Sequence, residues 1–209
     1  MTSAGWFVLA AVVGAAGAVL LVLDSRRRTE RTRTRREWAA SHGMRFTTAD
    51  PVITAQWGYG VFAHGGSGRA LDLTTGQHGG ATLHLLDLEQ RGTVVATLVA
   101  LRRPTSSPTA LELRLASSIP HSEAGIDLLG PVGQRYAFTS DLESARRVLD
   151  QRLVVLGDAA GSDVPVLWGE GGWALAALEP TAGPQRWDET LGVLTRFADL
   201  LRVLSPAHQ

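Results

Sequence analysis

Lysine and cysteine are both missing from this chain of 209 residues. Without lysine there is no ammonium group for the phosphates of a P-loop and no amine for a Schiff base, so both enzyme classes are excluded. Without cysteine there is no thiol nucleophile, no disulfide bond and no thiolate ligand for a metal ion. All 20 basic residues are arginine, which we attribute to a GC-rich genome.

Basic charge is scarce outside one short segment. Seven of the 20 arginines lie between Arg26 and Arg36, and the chain from Trp38 onward holds 13 arginines against 17 acidic residues. A mildly acidic surface lacks the basic footprint that binding to a phosphate backbone requires. We therefore expect no nucleic acid partner.

One long apolar run opens the chain. Residues 3–23 contain no charged side chain, and at about 1.5 Å per residue such a helix spans the roughly 30 Å hydrocarbon core of a bilayer. A cleavable signal peptide would carry basic residues before this run, and residues 1–5 carry none. We therefore predict an uncleaved transmembrane helix over residues 3–23.

An arginine-rich juxtamembrane segment, residues 24–37, follows the apolar run. Arginines beside a span are retained on the cytoplasmic side, so we predict an outside N-terminus and a cytoplasmic C-terminal domain. A reversed topology would make the domain part of the cell envelope. The arginines can also bind anionic lipid. The predicted membrane contacts are Trp6, Arg26, Arg27, Arg28, Arg31, Arg33, Arg35 and Arg36.

A stripe of small residues lies within the apolar run. Ala10, Gly14 and Ala18 recur every four residues, and this spacing lets two membrane helices approach closely. The stripe predicts weak self-association of the chain as a homodimer through its transmembrane helix.

The remaining residues 38–209 are predicted to form one soluble α+β domain, because this length suits a single core. Val164 to Trp168 and Trp173 to Leu178 flank a glycine-rich stretch and predict a second hairpin. The runs that predict an antiparallel meander before it are Ala70 to Thr75, Ala81 to Glu89, Thr93 to Arg102 and Ala110 to Ser117.

Two or three helices are predicted to cover the sheet. The first continues from the arginine run and stops before Gly43, a residue typical of helix ends. A capping box of Ser140 and Glu143 predicts a second helix, and apolar residues at helical spacing predict a third from Pro184 to Leu204.

Candidate catalytic and metal-binding residues are few. His78, His84 and Asp87 have metal-ligand side chains, but His84 and Asp87 are three apart on one strand and point to opposite faces. His64 could activate Ser67 in a glycine-rich loop, so a membrane-anchored hydrolase is an alternative hypothesis. We otherwise predict no enzymatic activity, no metal ion and no cofactor.

Tryptophan is abundant, with six in the chain. Core packing and the rim of a binding groove explain these residues equally well. Those at the ends of predicted elements or in amphipathic patterns are Trp38, Trp57, Trp168, Trp173 and Trp187.

Two stretches of the domain carry a resemblance to known proteins. They contain Glu37-Trp38-Ala39, Gly43-Met44-Arg45-Phe46-Thr47, Asp50-Pro51 and Trp57, and then Leu167-Trp168-Gly169, Trp173-Ala174-Leu175 and Leu200 to Pro206. With them the domain resembles the soluble domain of uncharacterised actinobacterial single-pass membrane proteins. It implies a domain boundary near Trp38 and no activity. We therefore predict a membrane-tethered, non-catalytic interaction or scaffold domain with an unidentified protein partner.

Overall fold

The structure is a computed structural model that describes residues 26, 28–66, 68–119 and 125–204. The predicted transmembrane helix, with Trp6 and the stripe of Ala10, Gly14 and Ala18, lies outside these residues, as does Arg27. Within the described part, no helix is both long enough and apolar enough to cross a membrane.

The described chain is an α+β fold with antiparallel strands, as the sequence predicts. In order, the elements are helix α1 (residues 28–41), strand β1 (Arg45–Asp50), a 3-10 turn (Ile53–Gln56), α2 (Phe62–Gly65), β2 (Arg69–His78), β3 (Ala81–Gln90), β4 (Thr93–Leu115), a 3-10 turn (Ala116–Ser118), β5 (Asp127–Val132), β6 (Arg135–Thr139), α3 (Leu142–Arg146), α4 (Gln151–Ala159), β7 (Val166–Leu178), α5 (Pro184–Leu200) and a 3-10 turn (Leu201–Val203).

The described strands form one antiparallel sheet organised around β4. Their order is β1-β2-β3-β4-β6-β5, and β7 also pairs with β4. The first part of β4 pairs with β3, where Leu101 lies opposite Leu83, and the last part pairs with β6, where Leu111 lies opposite Thr139. Because β7 runs beside both parts, β4 and β7 join the two ends of the sheet.

The length of β4 corrects the predicted meander. The sequence predicts two strands joined by a link over Pro104 to Pro108, whereas β4 is one strand of 23 residues. Proline cannot donate to a strand ladder. The pairing of β4 with β7 shifts register between Arg102 and Ser107 and again before Leu111, so both prolines fall where the ladder is already interrupted.

The predicted hairpin over residues 164–178 is wrong, because β7 is one uninterrupted strand. Its glycines permit close packing instead of a turn: a Cβ at Gly169 would overlap the side chain of Leu201. A Cβ at Gly172 would lie 3.1 Å from the guanidinium carbon of Arg102. The hairpin that follows β4 is instead formed by β5 and β6, and no pattern in the sequence predicted it.

Helix α5 covers one face of the sheet by packing on β4 and β7, and it also contacts α4. Its predicted apolar stripe is confirmed, since Trp187, Leu191, Leu194 and Ala198 are all buried. This face holds the larger apolar cluster, which includes Leu83, Leu85, Val99, Leu101, Leu111, Leu113 and Phe197.

The segment between β1 and β2 covers the opposite face. Trp57 and Phe62 pack there, with their ring centroids 5.8 Å apart. The strands contribute the rest of this smaller apolar cluster, which includes Leu86, Leu88, Leu98, Trp168, Trp173 and Leu175.

The helix predicted from Ser140 is two short helices. Asp141 caps α3 by accepting from the Glu143 and Ser144 backbone N–H groups, and Asp150 caps α4 in the same way. The Ser140 hydroxyl instead accepts a hydrogen bond from the Ala110 backbone N–H at 2.9 Å, which ties the end of β6 to β4.

Candidate functional site

Helix α1 is held on the sheet by Asp87 of β3, which is buried. Its Oδ1 accepts from Arg35 Nη2 at 2.7 Å and from Thr97 Oγ1 at 2.8 Å. Its Oδ2 accepts from Arg31 Nη2 at 2.9 Å. A buried carboxylate is tolerated only when it is paired and hydrogen-bonded, so Asp87 and the two arginines depend on one another. We call this group the α1 junction.

Arg35 lies inside the fold, with 3% of its side chain exposed. Its guanidinium carbon lies 4.2 Å from the ring centroid of Trp187, an arrangement that stabilises a cation over an aromatic face. Burial lowers the pKa of Arg35, and the nearby Asp87 opposes that shift. The prediction that Arg35 contacts lipid is therefore corrected, and the packed chain begins before the predicted boundary at Trp38.

A second polar contact lies beside the α1 junction. Thr32 Oγ1 donates to Asp72 Oδ2 at 2.8 Å. Asp72 has a φ of 48° in β2, where the pairing with β3 shifts register between Leu71 and Thr74. Burial raises the pKa of Asp72, and the Thr32 hydrogen bond opposes that shift. The irregularity in β2 thus brings a carboxyl group to α1.

The C-terminal end of α1 packs through aromatic rings. Trp38 meets Trp187 edge to face at 5.8 Å, and His42 stacks on Trp38 at 4.2 Å between centroids. Trp38 Nε1 donates to Asp188 Oδ1 at 3.1 Å, so α1 is attached to the domain near its C-terminal end as well as at the α1 junction.

Helical spacing explains why these residues converge. Arg31, Arg35, Trp38 and His42 follow one another at steps of four, three and four, which places them on one face of α1. The same spacing in the sequence could have indicated an inward face. Rules for residues beside a membrane span instead treat every arginine of the run alike.

The other described arginines of the run are exposed. Arg36 lies over the ring of Phe46, with 5.0 Å from its guanidinium carbon to the centroid. Arg33 Nε lies 3.5 Å from Glu37 Oε1. Membrane contact by these exposed arginines, which are Arg26, Arg28, Arg33 and Arg36, stays a prediction.

Two buried glutamates hold the loop before α2. Glu112 Oε1 accepts from the Gly60 backbone N–H at 2.6 Å, and Arg114 Nε donates to Glu112 Oε2 at 2.6 Å. Glu170 accepts from the Gly58 N–H at 3.0 Å and from Trp168 Nε1 at 3.0 Å. Burial raises the pKa of Glu170. Both carboxylates are therefore engaged in holding backbone and side-chain groups of the fold.

The five tryptophans named above do not share a groove. Trp38 and Trp187 belong to the cluster under α5, and the other three belong to the cluster on the opposite face. Trp57 meets Trp173 edge to face at 5.7 Å. Of the two explanations for these residues, the structure supports core packing.

The candidate metal ligands do not converge in the described part. His84 is buried against Trp173 at 5.0 Å between centroids, and burial lowers the pKa of its imidazole. Asp87 is engaged on the opposite face of the sheet. Among the described residues no group of three His, Asp or Glu side chains could hold a metal ion. Ser67 and the side chain of His64 lie outside the described part.

Comparison with known proteins assigns the chain to a family. Residues 2–209 match the family described as trehalose monomycolate transport factor TtfA. The chain belongs to the TtfA family. It is 35% identical over 204 residues to trehalose monomycolate transport factor A of Mycolicibacterium smegmatis, which covers 98% of this chain and 72% of that relative.

A solved TtfA structure supports the fold. The crystal structure of the mycobacterial TtfA aligns with a TM-score of 0.79 and 34% identity, over 85% of this chain and 98% of the solved one. The predicted kinship with actinobacterial proteins is confirmed. The description of that family as uncharacterised is corrected, because its members are named for a role in transport.

Proposed function

We propose that this chain is a non-enzymatic, membrane-tethered factor that takes part in the transport of trehalose monomycolate. The family match supports the cargo, since it covers residues 2–209 and its relatives are named for this glycolipid. As a transport factor, the chain would associate with a membrane transport machinery through a protein partner.

The α1 junction is the observation that carries the tethering role. A domain on a flexible linker would leave α1 exposed, whereas Arg35 and Trp38 are buried against the sheet and α5. The domain is thereby fixed to a helix whose described residues 28–41 begin five positions after residue 23, where the predicted span ends. Such a connection suits a scaffold that must hold a partner at a set distance from the bilayer.

We also propose the orientation that the arginine run predicts, with the N-terminus outside and the domain in the cytoplasm. Weak self-association through Ala10, Gly14 and Ala18 is compatible with this arrangement and is not needed for it. Envelope exposure of the domain is the opposite hypothesis.

The test is replacement of the relative in Mycolicibacterium smegmatis by this full chain. Cells depleted of their own factor should regain labelled trehalose monomycolate at the cell surface when they express the chain. An Asp87→Leu variant should restore less surface label than an Asp199→Asn variant at equal protein level, because Asp199 pairs with Arg202 only at the exposed surface. A wild-type chain that is present in the membrane and restores nothing would contradict the proposal.

The hydrolase alternative is separated in the same cells by a Ser67→Ala variant. A tethering role predicts that this variant restores surface label as well as the wild type does. Loss of rescue with Ser67→Ala at a normal protein level would instead favour catalysis at the loop of His64 and Ser67.

A further inference from the structure

One flank of α1 is an open basic surface. It is lined by Arg28, Thr29, Thr32, Arg33 and Arg36, all of α1, and we call it the basic groove. Arg28, Thr32 and Arg36 recur every four residues and form one row, next to the face that carries Arg35. The guanidinium of Arg36 in this row lies over the ring of Phe46.

Acidic charge is sparse in the basic groove. Glu30 and Glu37 of α1 are about a third of a turn away by helical geometry, and Glu37 approaches the groove only through Arg33 at 3.5 Å. Asp72 reaches Thr32 from the sheet, but it is half-buried and already hydrogen-bonded. The three exposed arginines of this flank have two acidic neighbours, Glu37 beside Arg33 and Asp72, whose charge interacts with that of Arg28, so the flank keeps an excess of positive charge.

Position relative to the predicted span favours a lipid ligand. Arg28 is five residues beyond residue 23, a stretch that reaches at most about 18 Å when fully extended. From Arg28 to Arg36 the helix rises about 12 Å, so all three arginines meet one plane of headgroups when α1 lies along the leaflet. The Asp87 face of α1 would then point to the domain, and the basic flank would point to the membrane.

We propose that the basic groove binds the phosphate groups of anionic phospholipids and lays α1 along the cytoplasmic leaflet. Guanidinium groups bind phosphate oxygens through paired, charge-assisted hydrogen bonds. The proposal rests on the membrane tether of the proposed function and adds a ligand class. It also separates the arginines of the run into two groups. Arg31 and Arg35 bind Asp87 and stabilise the fold, whereas the arginines of the basic groove bind lipid.

Lipid selectivity of the full chain tests this proposal. The chain is reconstituted in phosphatidylcholine vesicles with trace spin-labelled phosphatidylglycerol or spin-labelled phosphatidylcholine, and the motionally restricted fraction of each label is measured. The wild type should favour phosphatidylglycerol roughly fivefold, since one basic residue at an anionic surface contributes about that factor. The variant Arg28→Gln/Arg33→Gln/Arg36→Gln should lose most of this preference, with Arg26 and Arg27 accounting for any remainder.

A matched variant removes three exposed arginines elsewhere. Arg146→Gln/Arg196→Gln/Arg202→Gln carries the same charge change on α3, α5 and the last turn, and it should keep the wild-type preference. Unchanged selectivity in the groove variant, or equal loss in both variants, would overturn the proposal. So would displacement of phosphatidylglycerol by inorganic phosphate but not by chloride at equal ionic strength, which would indicate a soluble phosphate ligand.

The two proposals fail separately. If wild-type chain restores glycolipid transport but shows no preference for phosphatidylglycerol, the groove assignment is wrong and the transport role stands. If the preference depends on the groove but the chain restores no transport, the lipid site stands and the transport role falls.

Discussion

At the scale of single residues, buried guanidinium groups make the polar connections of this fold. Arg135 is buried, and it donates to the carbonyl oxygens of Gly157 at 2.7 Å, Gly161 at 2.6 Å and Val164 at 2.8 Å. Burial lowers its pKa, and Asp158 opposes that shift. A planar group with five donors can bind several carbonyls at once, so lysine could not replace arginine here.

Asp87 should be the most sensitive residue of the α1 junction. In an Asp87→Leu variant the charge of Arg35 stays buried without its carboxylate, and we expect the free energy of unfolding to fall by about 3 to 5 kcal/mol. Chemical denaturation of the full chain in detergent measures this change. Asp199→Asn, which removes an exposed ion pair, should cost less than about 0.5 kcal/mol.

A double variant separates the lost charge pair from lost packing. Arg35→Met in the Asp87→Leu background removes the unpaired charge and should recover part of the lost stability. If Asp87→Leu alone costs no more than Asp199→Asn, the buried pair does not hold α1.

Gly60 is predicted to tolerate no side chain. It has a φ of +65°, and a Cβ there would lie 2.5 Å from Trp168 Cδ2. Gly43 has a similar φ of +64° with no atom within 4 Å of an added Cβ. Measured by thermal unfolding, the free energy of unfolding should fall by about 1 kcal/mol for Gly43→Ala. It should fall clearly further for Gly60→Ala. Equal losses would mean that Trp168 does not pack on this loop.

Glu170 should make stability depend on pH in a definite direction. Burial raises its pKa in the folded state above the ordinary value of 4.5, so the folded protein binds the proton more strongly. Its contribution is therefore fully present below pH 4.5 and is lost as the pH rises through the raised pKa. We expect the unfolding free energy of the wild type, relative to Glu170→Gln, to fall over that window. A relative stability that rises with pH would contradict this assignment.

At the scale of elements, α1 should behave as part of the domain from its inward arginines onward. Amide hydrogen exchange of the full chain should be slow over residues 35–41 and faster over residues 28–30, because only the later residues pack against the sheet. Asp87→Leu should raise the exchange rate over residues 35–41 toward that of residues 28–30. Uniformly fast exchange in the wild type would show that α1 is not docked.

The predictability of each element follows from how local its determinants are. The stripe of Trp187, Leu191 and Leu194 predicts α5 because a helix buries residues at its own period. Pro104 and Gly169 are read from the sequence as breaks in β4 and β7, yet each lies within a strand. Strand β4 accepts Pro104 because its pairing with β7 shifts register there, and β7 requires Gly169 because Leu201 packs against it. Both are tertiary features with no local signal in the sequence.

The candidate site was only half predictable for the same reason. The arginine run marks where α1 lies relative to the apolar run, and that information is local. The partner of Arg35 is Asp87, 52 residues away on β3, and nothing in the run indicates it. Helical spacing could have separated inward from outward arginines, but only after an inward face had been suspected.

At the scale of the whole molecule, the proposed function joins a TtfA-family domain to the membrane through one helix. The inward face of α1 is bound to the domain by Asp87 and Trp187, and we propose that its basic flank meets the leaflet. The proposed orientation and the proposed lipid site both require the domain to lie in the cytoplasm, the side on which arginines beside a span are retained.

The side of the membrane is therefore the most direct test, and the absence of cysteine makes it simple. Full chains with a single cysteine, at exposed Ser162 or at Thr2 before the predicted span, are treated in spheroplasts with a membrane-impermeant maleimide. We predict that Thr2→Cys is labelled at once and that Ser162→Cys is labelled only after permeabilisation. Labelling of Ser162→Cys in sealed spheroplasts would place the domain outside and contradict the account.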